Sequence, residues 1–417
     1  MADREYRPRL VDRYLSEVLS DFAAVMVTGA RAVGKTTTAS QLAVNTVRLD
    51  RPGVAAAYRA DPDAALRRAA RPVLIDEWQE VPAVLGAVKR AVDRDPRPGQ
   101  YLLTGSVRAQ LQNETWAGTG RVVRMNMYGL TEREVTGRLA AEPSLFLTRL
   151  ARSGIDGLVL PPQLPDIDDY VQLALRGGFP EVAYRDRSER SRGIWMASYL
   201  DDLVTRDAAL AGQAKDPAKL RRYLNVLALH NAGIPADNTL YAAAAINAKT
   251  AAGYDQLLTN LFMLDAVPAW GTNRLKRLVK APKRYLVDTG LAAAAAALTA
   301  ADVLTDPDLL GRLFDAFATA QLRPEIALMH PRPAVHHLRL EGGRREVDLV
   351  VDLGATQVIG LEFKAAATVD THDARHLFWL RDELRADFAA GAVLHAGPAM
   401  YQLGDRVWAV PLAVLWG

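Results

Sequence analysis

A glycine-rich loop between an apolar strand and a helix constrains this chain more than any other feature. The segment Gly29–Thr36 (GARAVGKT) fits the pattern G-x-x-x-x-G-K-[ST] and directly follows the apolar run Ala23–Thr28. The backbone N–H groups of such a loop bind phosphate, and the N-terminus of the following helix adds partial positive charge. We therefore expect Lys35 to reach the β- and γ-phosphates of ATP and the Thr36 hydroxyl to bind Mg²⁺.

Two acidic residues end the next apolar strand, PVLIDE. We expect Asp76 to hold the shell of the Mg²⁺ ion and Glu77 to orient and deprotonate the attacking water. The alternative is that both carboxylates are simply solvated at a strand end. A third strand, Gln100–Thr104, ends in Thr104-Gly105-Ser106 at the edge of the same crevice, where a hydroxyl would sense the γ-phosphate; the alternative is a simple turn. The predicted nucleotide-binding residues are Gly29, Ala30, Arg31, Ala32, Val33, Gly34, Lys35, Thr36, Thr37 and Ser106.

Strands that alternate with helical patterns predict an α/β fold with a parallel sheet covered on both faces. This pattern continues to about Leu130, and the Pro-rich run Leu160–Pro165 indicates a linker or a long loop. The segment after about Asp308 opens with an amphipathic helix and continues with alternating strands and a charged helix. The chain is long enough for about two to four domains.

The composition excludes several kinds of site. The absence of cysteine rules out disulfides, Cys-ligated zinc, iron–sulfur clusters and thiol catalysis. Lys+Arg 51 against Asp+Glu 48 gives a net charge of +3, so nucleic-acid binding would need a local basic patch. The alanine-rich run Leu291–Leu298 is far shorter than the roughly 20 residues that span a bilayer, and the N-terminus lacks an apolar signal sequence. We expect a cytoplasmic protein without membrane contact.

Further runs along the chain resemble one protein family in their joint order. These runs are GARAVGKTT, RLDRP, PVLIDEWQEVP, QYLLTGS, TGRVVRMNMYGLTERE, GGFPE, YLDDLVTRD, PKRYLVDTGL, GRLFDAF, REVDLVV and IGLEFKA. Together they resemble the prokaryotic AAA-type ATPases that carry a C-terminal domain of unknown function, over nearly the whole chain. The resemblance implies ATP and Mg²⁺ as cofactors. It also implies an AAA-type P-loop ATPase domain over 1–135, a helical linker or lid region over 136–216, a winged-helix domain over 217–300 and a nuclease-like α/β domain over 301–417.

An arginine is expected at the γ-phosphate, because an arginine finger stabilises the charge of the transition state. By its place in the family pattern we nominate Arg121 as this finger or sensor. Arg108 and Arg124 are equally plausible by position, and a purely structural role for Arg121 stays open. The residues that correspond to the Walker motifs and to the sensor-like strand end are Lys35, Thr36, Asp76, Glu77 and Ser106.

The middle of the chain predicts a winged helix. Leu240–Ile246 and Lys249–Leu264 have the pattern of a helix-turn-helix, and strand-like segments around Trp270 and Tyr285 would form its wing. Residues 217–288 contain ten Lys/Arg against four Asp/Glu, which suits contact with the phosphates of DNA. Alternatively, the domain packs on its own ATPase domain or the charged run is a solvated face. The predicted wing cations are Arg274, Lys276, Arg277, Lys280, Lys283 and Arg284.

Carboxylates and a lysine near the C-terminus predict a second metal site. Glu362 and Lys364 share a strand face, and a hairpin would bring Asp348 beside them. With Asp348 and Glu362 as ligands, such a group can bind Mg²⁺ and activate water for phosphodiester hydrolysis. The spacing resembles the restriction-endonuclease-like fold, which implies that Asp315 in GRLFDAF joins the site. The alternative is an ordinary ion pair on a strand face.

Three functions remain open from the sequence. The main hypothesis is an ATP-binding, slowly hydrolysing switch that acts on DNA or on a protein partner, alone or as an oligomer. The second is an ATP-gated, Mg²⁺-dependent DNA nuclease. The third is a regulator that does not cleave and whose ATP state controls binding to DNA or to a protein.

Overall fold

Two large sheets, one near each end of the chain, are joined by helices and a small hairpin. The computed structural model describes residues 6–106, 120–139, 145–185, 187–208, 216–271, 281–340, 343–354 and 357–417. The wing residues Arg274, Lys276, Arg277 and Lys280, and also Arg108, lie outside these ranges.

The N-terminal sheet has five parallel strands in the order β2-β3-β4-β1-β5. This confirms the predicted α/β fold with a parallel sheet. Strand β2 follows the phosphate loop and its helix, and the sequence pattern did not predict it. The strands are β1 (Ala24–Thr28), β2 (Asn45–Arg48), β3 (Val73–Asp76), β4 (Tyr101–Gly105) and β5 (Val123–Asn126). The helices are α1 (Val11–Asp21), α2 (Lys35–Ser40), α3 (Pro52–Ala60), α4 (Pro62–Arg67) and α5 (Ala83–Arg94).

Both faces of this sheet are covered, because side chains of β1 alternate between two cores. Val25 and Val27 pack with α1 and with helices from the middle of the chain. Ala24 and Met26 pack with α3, α4 and α5 on the other face. Burial on both faces explains why the strands are continuously apolar.

Short helices fill the middle of the chain. They are α6 (Glu132–Val135), α7 (Phe146–Ser153), α8 (Ile167–Arg176), α9 (Pro180–Ala183), α10 (Glu189–Asp202), α11 (Pro217–Leu229), α12 (Asp237–Ala243) and α13 (Ala248–Asn260). A hairpin of two antiparallel strands follows, β6 (Leu264–Val267) and β7 (Lys283–Leu286). The sequence pattern placed the first strand of the hairpin around Trp270, but β6 ends at Val267, upstream of that residue. Three helices, α11 to α13, and this hairpin follow one another between residues 217 and 286, and their arrangement as a winged helix stays a prediction.

The C-terminal sheet is mixed and has six strands in the order β12-β13-β11-β10-β9-β8. The long helix Pro307–Leu328 packs on one face and the helix Arg375–Leu384 packs on the other. The strands are β8 (Ala334–Leu340), β9 (Arg345–Gly354), β10 (Gln357–Lys364), β11 (Phe388–His395), β12 (Tyr401–Gly404) and β13 (Val407–Pro411). The helices are α14 (Thr289–Ala295), α15 (Ala300–Thr305), α16 (Pro307–Leu328) and α17 (Arg375–Leu384).

Consecutive segments of the middle of the chain pack into different hydrophobic cores. Phe146, Leu150 and Tyr170, on α7 and α8, pack into the core of the C-terminal sheet. Phe179 and Leu200, which come next along the chain, pack into the core of the N-terminal sheet. The predicted linker region 136–216 therefore contributes to both ends of the molecule. Among the described residues, no helix combines the length and the apolar character needed to cross a bilayer.

Candidate functional site

The phosphate loop leaves β1 at the carboxyl edge of the N-terminal sheet, and its backbone requires glycine at two places. Gly29 has φ +152°, and a Cβ there would lie 2.2 Å from the carbonyl oxygen of Met127. Gly34 has φ +100° and directly precedes α2. A side chain at Gly29 would therefore collide with backbone, so this loop conformation excludes larger residues there.

Lys35 extends back over the loop that precedes it. Its Nζ donates to the carbonyl oxygens of Gly29 (3.0 Å) and Ala30 (2.8 Å). The side chain is 6% exposed. Burial lowers the pKa of Lys35 to about 8, although Glu77 and Asp76 favour the charged form. The loop therefore holds a partly desolvated ammonium group where an anionic ligand would stabilise it.

Asp76 is fixed by two hydroxyl groups from neighbouring elements. Its Oδ1 accepts hydrogen bonds from Thr36 Oγ1 (2.7 Å) and from Thr104 Oγ1 (2.6 Å). Asp76 and Thr104 are register partners on the parallel strands β3 and β4, so the sheet itself sets their spacing. The structure thus brings Thr36 and Asp76 together as predicted. Ser106 is buried just beyond the end of β4, at the same edge.

Glu77 lies next to this pair in a left-handed backbone conformation, with φ +54°. The Gln79 amide donates to its Oε2. Burial raises the pKa of Glu77, while the nearby Lys35 lowers it. A carboxyl group with a raised pKa beside the phosphate loop is suited to accept a proton.

A buried arginine attaches the N-terminal segment to the phosphate loop. Arg9 donates to the carbonyl oxygen of Val33 (2.9 Å) and forms an ion pair with Glu134 (2.7 Å). Both side chains of the pair are almost fully buried, at 6% and 2% exposure. Tyr6 in the same segment hydrogen-bonds to Thr38 on α2 (3.2 Å). Sequence reasoning missed this segment, because its partners lie far away along the chain.

An open cleft of about 1510 Å³ runs from the phosphate loop to the GGFPE segment. Tyr184 and Trp195 line it together with Lys35 and Thr36. The guanidinium of Arg7 lies over the Tyr184 ring, 4.6 Å from its centroid. The lining of the cleft therefore combines the cationic phosphate loop with aromatic side chains.

Arg121 lies away from this site. It precedes β5, whose parallel pairing with β1 puts it at the amino edge of the sheet. There its Nε pairs with Asp93 at 2.8 Å, and the side chain is 45% exposed. The phosphate loop begins at the opposite end of β1, five residues or roughly 16 Å along the strand. Arg121 is therefore not placed to reach a nucleotide bound by its own chain, which differs from our prediction. Arg124, on the outer strand β5, is exposed.

The C-terminal carboxylates converge as predicted, but around a lysine. Asp348 is beside Glu362 in the β9–β10 pair, where the Phe363 N–H donates to Asp348 Oδ2 (3.0 Å). Lys283 Nζ, from β7, forms ion pairs with Asp315 (2.5 Å) and Asp348 (3.0 Å). Within the described ranges, no three His, Asp or Glu side chains are arranged to hold a metal ion. An ammonium group thus lies where the sequence predicted a divalent cation.

The predicted wing cations that are described do not face solvent. Lys283 is 2% exposed and Arg284 is 8% exposed. Arg284 pairs with Asp237 (2.7 Å) and Asp255 (3.2 Å) on the helices of its own region. These two residues are therefore committed to internal ion pairs, which corrects their assignment to a DNA-binding surface.

Comparison with known families divides the chain into three matched regions. Residues 21–136 match an AAA domain. Residues 167–302 match a domain of unknown function, DUF8612, and residues 310–415 match another, DUF4143. The N-terminal region is therefore similar to the AAA domains of P-loop proteins. The C-terminal match does not establish a nuclease-like character.

The chain is similar over most of its length to mycobacterial proteins that are named as uncharacterized. Uncharacterized proteins of Mycobacterium bovis and Mycobacterium tuberculosis are each 28% identical over 404 residues, which cover 95% of this chain and 82% of the relative. A mutant of RuvB from Thermotoga maritima is 19% identical with a TM-score of 0.30, covering 63% of this chain and 93% of that one.

Proposed function

We propose that this protein is an AAA-type ATPase that acts as an ATP-driven switch. One observation carries the proposal: Thr36, Asp76 and Thr104 form a hydrogen-bonded group directly beside Lys35 and the phosphate loop. Hydroxyl and carboxylate oxygens are the ligands that Mg²⁺ prefers, so Thr36 and Asp76 suit the metal of a bound Mg–ATP. The match of this region to AAA domains supports the same conclusion.

Each residue of the site has a role that follows from its position. Lys35 binds the β- and γ-phosphates, and their negative charge offsets the free energy that burial of its ammonium group costs. Thr104 orients Asp76 from behind, because its hydroxyl occupies one lone pair of Oδ1. The bound Mg²⁺ supplies charge neutralisation at the phosphates when present. Tyr184 and Trp195 line the cleft, where their aromatic rings can contact a nucleotide base.

Glu77 is the proposed base for hydrolysis. Its raised pKa, caused by burial, brings its proton affinity closer to that needed for accepting a proton from water. The Gln79 amide, which donates to Oε2, fixes the orientation of the carboxylate.

ATP binding and turnover by four variants test this proposal. Lys35→Ala should lose most of its ATP affinity, whereas Glu77→Gln should bind ATP and fail to hydrolyse it, because an amide does not accept the proton. Lys89→Ala and Glu80→Gln are matched controls on the same domain, since Lys89 is partly exposed and Glu80 is exposed. Unchanged ATP affinity in Lys35→Ala would overturn the proposal. Wild-type turnover by Glu77→Gln would remove Glu77 as the base.

The target of the switch remains DNA or a protein partner, and the four domains predicted from the sequence remain part of the proposal. Lys283 and Arg284 face inward, so DNA contact through the hairpin would depend on the basic residues between β6 and β7. Binding to DNA of unrelated sequences, measured as salt is raised, distinguishes these targets. Affinity that falls steeply with salt supports DNA, and no binding at low salt favours a protein partner.

A further inference from the structure

The acidic group of the C-terminal domain is buried and already holds a cation. Asp315 comes from the middle of α16, Asp348 from β9 and Glu362 from β10. Lys283 enters from β7 of the hairpin, with 3% of its side chain exposed. Besides its two ion pairs, its Nζ lies 3.4 Å from the carbonyl oxygen of Asp348.

The remaining oxygens of the two aspartates are also occupied. Asp315 Oδ1 accepts hydrogen bonds from Tyr285 (2.9 Å) and Thr319 (3.3 Å). Asp348 Oδ2 accepts the backbone N–H of Phe363 (3.0 Å). A divalent ion would therefore have to displace Lys283 and also break hydrogen bonds that donors buried in the fold now make.

Glu362, the third carboxyl of the group, is buried and incompletely hydrogen-bonded. Its side chain is 5% exposed, and among the described residues Oε1 has no hydrogen-bond partner. Lys364 lies 3.9 Å from the other oxygen. Burial and the negative charge of Asp348 raise the pKa of Glu362 well above its usual value. Lys283 thus pairs with the two aspartates of the group, while Lys364 and His376 each lie 3.9 Å from Glu362.

The β6–β7 hairpin, which carries Lys283, also contacts the C-terminal domain at other places. The Trp270 N–H donates to the His337 carbonyl oxygen (2.5 Å), and the His337 N–H donates to that of Pro268 (3.0 Å). These bonds extend the edge strand β8 onto the chain that follows β6. Asp265 on β6 also pairs with Arg323 on α16 (2.7 Å). Removal of the hairpin would require Lys283 to leave the acidic group.

We propose that the ammonium group of Lys283 is the resident cation of the Asp315–Asp348–Glu362 group, taking the place of a divalent metal and holding the β6–β7 hairpin on the C-terminal domain. The group is then an internal joint and does not cleave DNA. It binds a divalent ion only when Lys283 is removed. This inference is independent of the proposed ATPase activity, because it concerns a different part of the chain.

Thermal unfolding of the full-length protein without nucleotide, with and without millimolar Mn²⁺, tests the proposal. Lys283→Met should unfold at a lower temperature than wild type and gain a Mn²⁺-dependent rise in Tm. Adding Glu362→Gln to Lys283→Met should remove this gain. Any Mn²⁺ effect at the phosphate loop is common to all variants and cancels in the comparison. No gain in Lys283→Met, or a wild-type Mn²⁺ response that Glu362→Gln abolishes, would overturn the proposal.

A second measurement needs no variant and therefore holds even if Lys283→Met does not fold. Acetylation of the native protein, followed by mass spectrometry, reports the accessibility of each lysine. Lys283 should stay protected while Lys89 and Lys219, in partly exposed ion pairs, are modified. Protection of Lys283 should be the same with and without Mn²⁺. Modification of Lys283 that increases with Mn²⁺ would mean that metal displaces it, against the proposal.

Discussion

Replacement of Arg9 by methionine should destabilise the protein and weaken ATP binding together. The change keeps much of the apolar volume but removes the cation beside Glu134, which is 2% exposed. Loss of one partner from a buried ion pair costs about 3–5 kcal/mol. Glu134 keeps hydrogen bonds from Leu10 N–H (2.9 Å) and Thr131 N–H (2.7 Å), so we expect a loss at the low end, about 3 kcal/mol.

The chain contains a matched control for this change. Arg13 forms an ion pair with Glu17 at the same 2.7 Å distance, but the side chains are 53% and 55% exposed. Arg13→Met should therefore cost about 0–1 kcal/mol. Urea unfolding gives both free energies, and ATP titration gives both affinities. The double change Arg9→Met with Glu134→Gln should recover part of the stability, because it also removes the uncompensated charge.

Equal free energies of unfolding for Arg9→Met and Arg13→Met would refute this reasoning. Such a result would mean that the Arg9–Glu134 pair gains no strength from its burial. Unchanged ATP affinity in a destabilised Arg9→Met would show instead that the bond from Arg9 to Val33 does not shape the phosphate loop.

Three further predictions concern the nucleotide site. Burial lowers the pKa of Lys35 in the folded protein to about 8, below that of an unfolded lysine, so its ammonium group loses its proton as the pH rises through 8. ATP affinity measured by calorimetry should therefore fall above pH 8 by up to about tenfold per pH unit. The free energy of unfolding of the ATP-free protein should rise between about pH 8 and 10, because the unfolded state still binds the proton there. Thr104→Val removes the hydroxyl that orients Asp76 and should lower Mg–ATP affinity by about 1.5–3 kcal/mol, with the Mg²⁺-free affinity less affected. Arg121→Ala should change the free energy of unfolding by about 1 kcal/mol or less and leave ATP affinity unchanged, since its partner Asp93 is a surface residue.

The sequence predicted the parts of the site whose spacing is local. The phosphate loop, α2 and the acids after β3 are each determined by a few consecutive residues, so their pattern was sufficient. Thr104 is different, because only the register of β3 and β4 shows that its hydroxyl meets Asp76. Arg9 was missed for a similar reason, since Glu134 is 125 residues away along the chain.

Two of the expectations that differ from the structure depended on long-range geometry. Arg121 is adjacent to Gly120 in the sequence, but the direction of β5 puts it at the edge of the sheet opposite to the phosphate loop. Lys283 belongs to a run of basic residues, and that run alone predicts an exposed surface. Its burial became visible only when β7 was placed against α16 and β9.

The way the chain passes between the two large cores limits how the protein can be divided. Helices α7 and α8 belong to the C-terminal core, and the chain then returns at Gly177–Gly178 to the N-terminal core. A Cβ at Gly178 would lie 2.5 Å from the carbonyl oxygen of Leu130, so this crossing point fits tightly against the segment that follows the N-terminal sheet. A single cut in the chain would therefore leave apolar surface exposed on both fragments. Pro180, which lines the cleft, follows Arg176, the last residue of α8, by only four positions, so the crossing is a short covalent connection between the C-terminal core and the cleft.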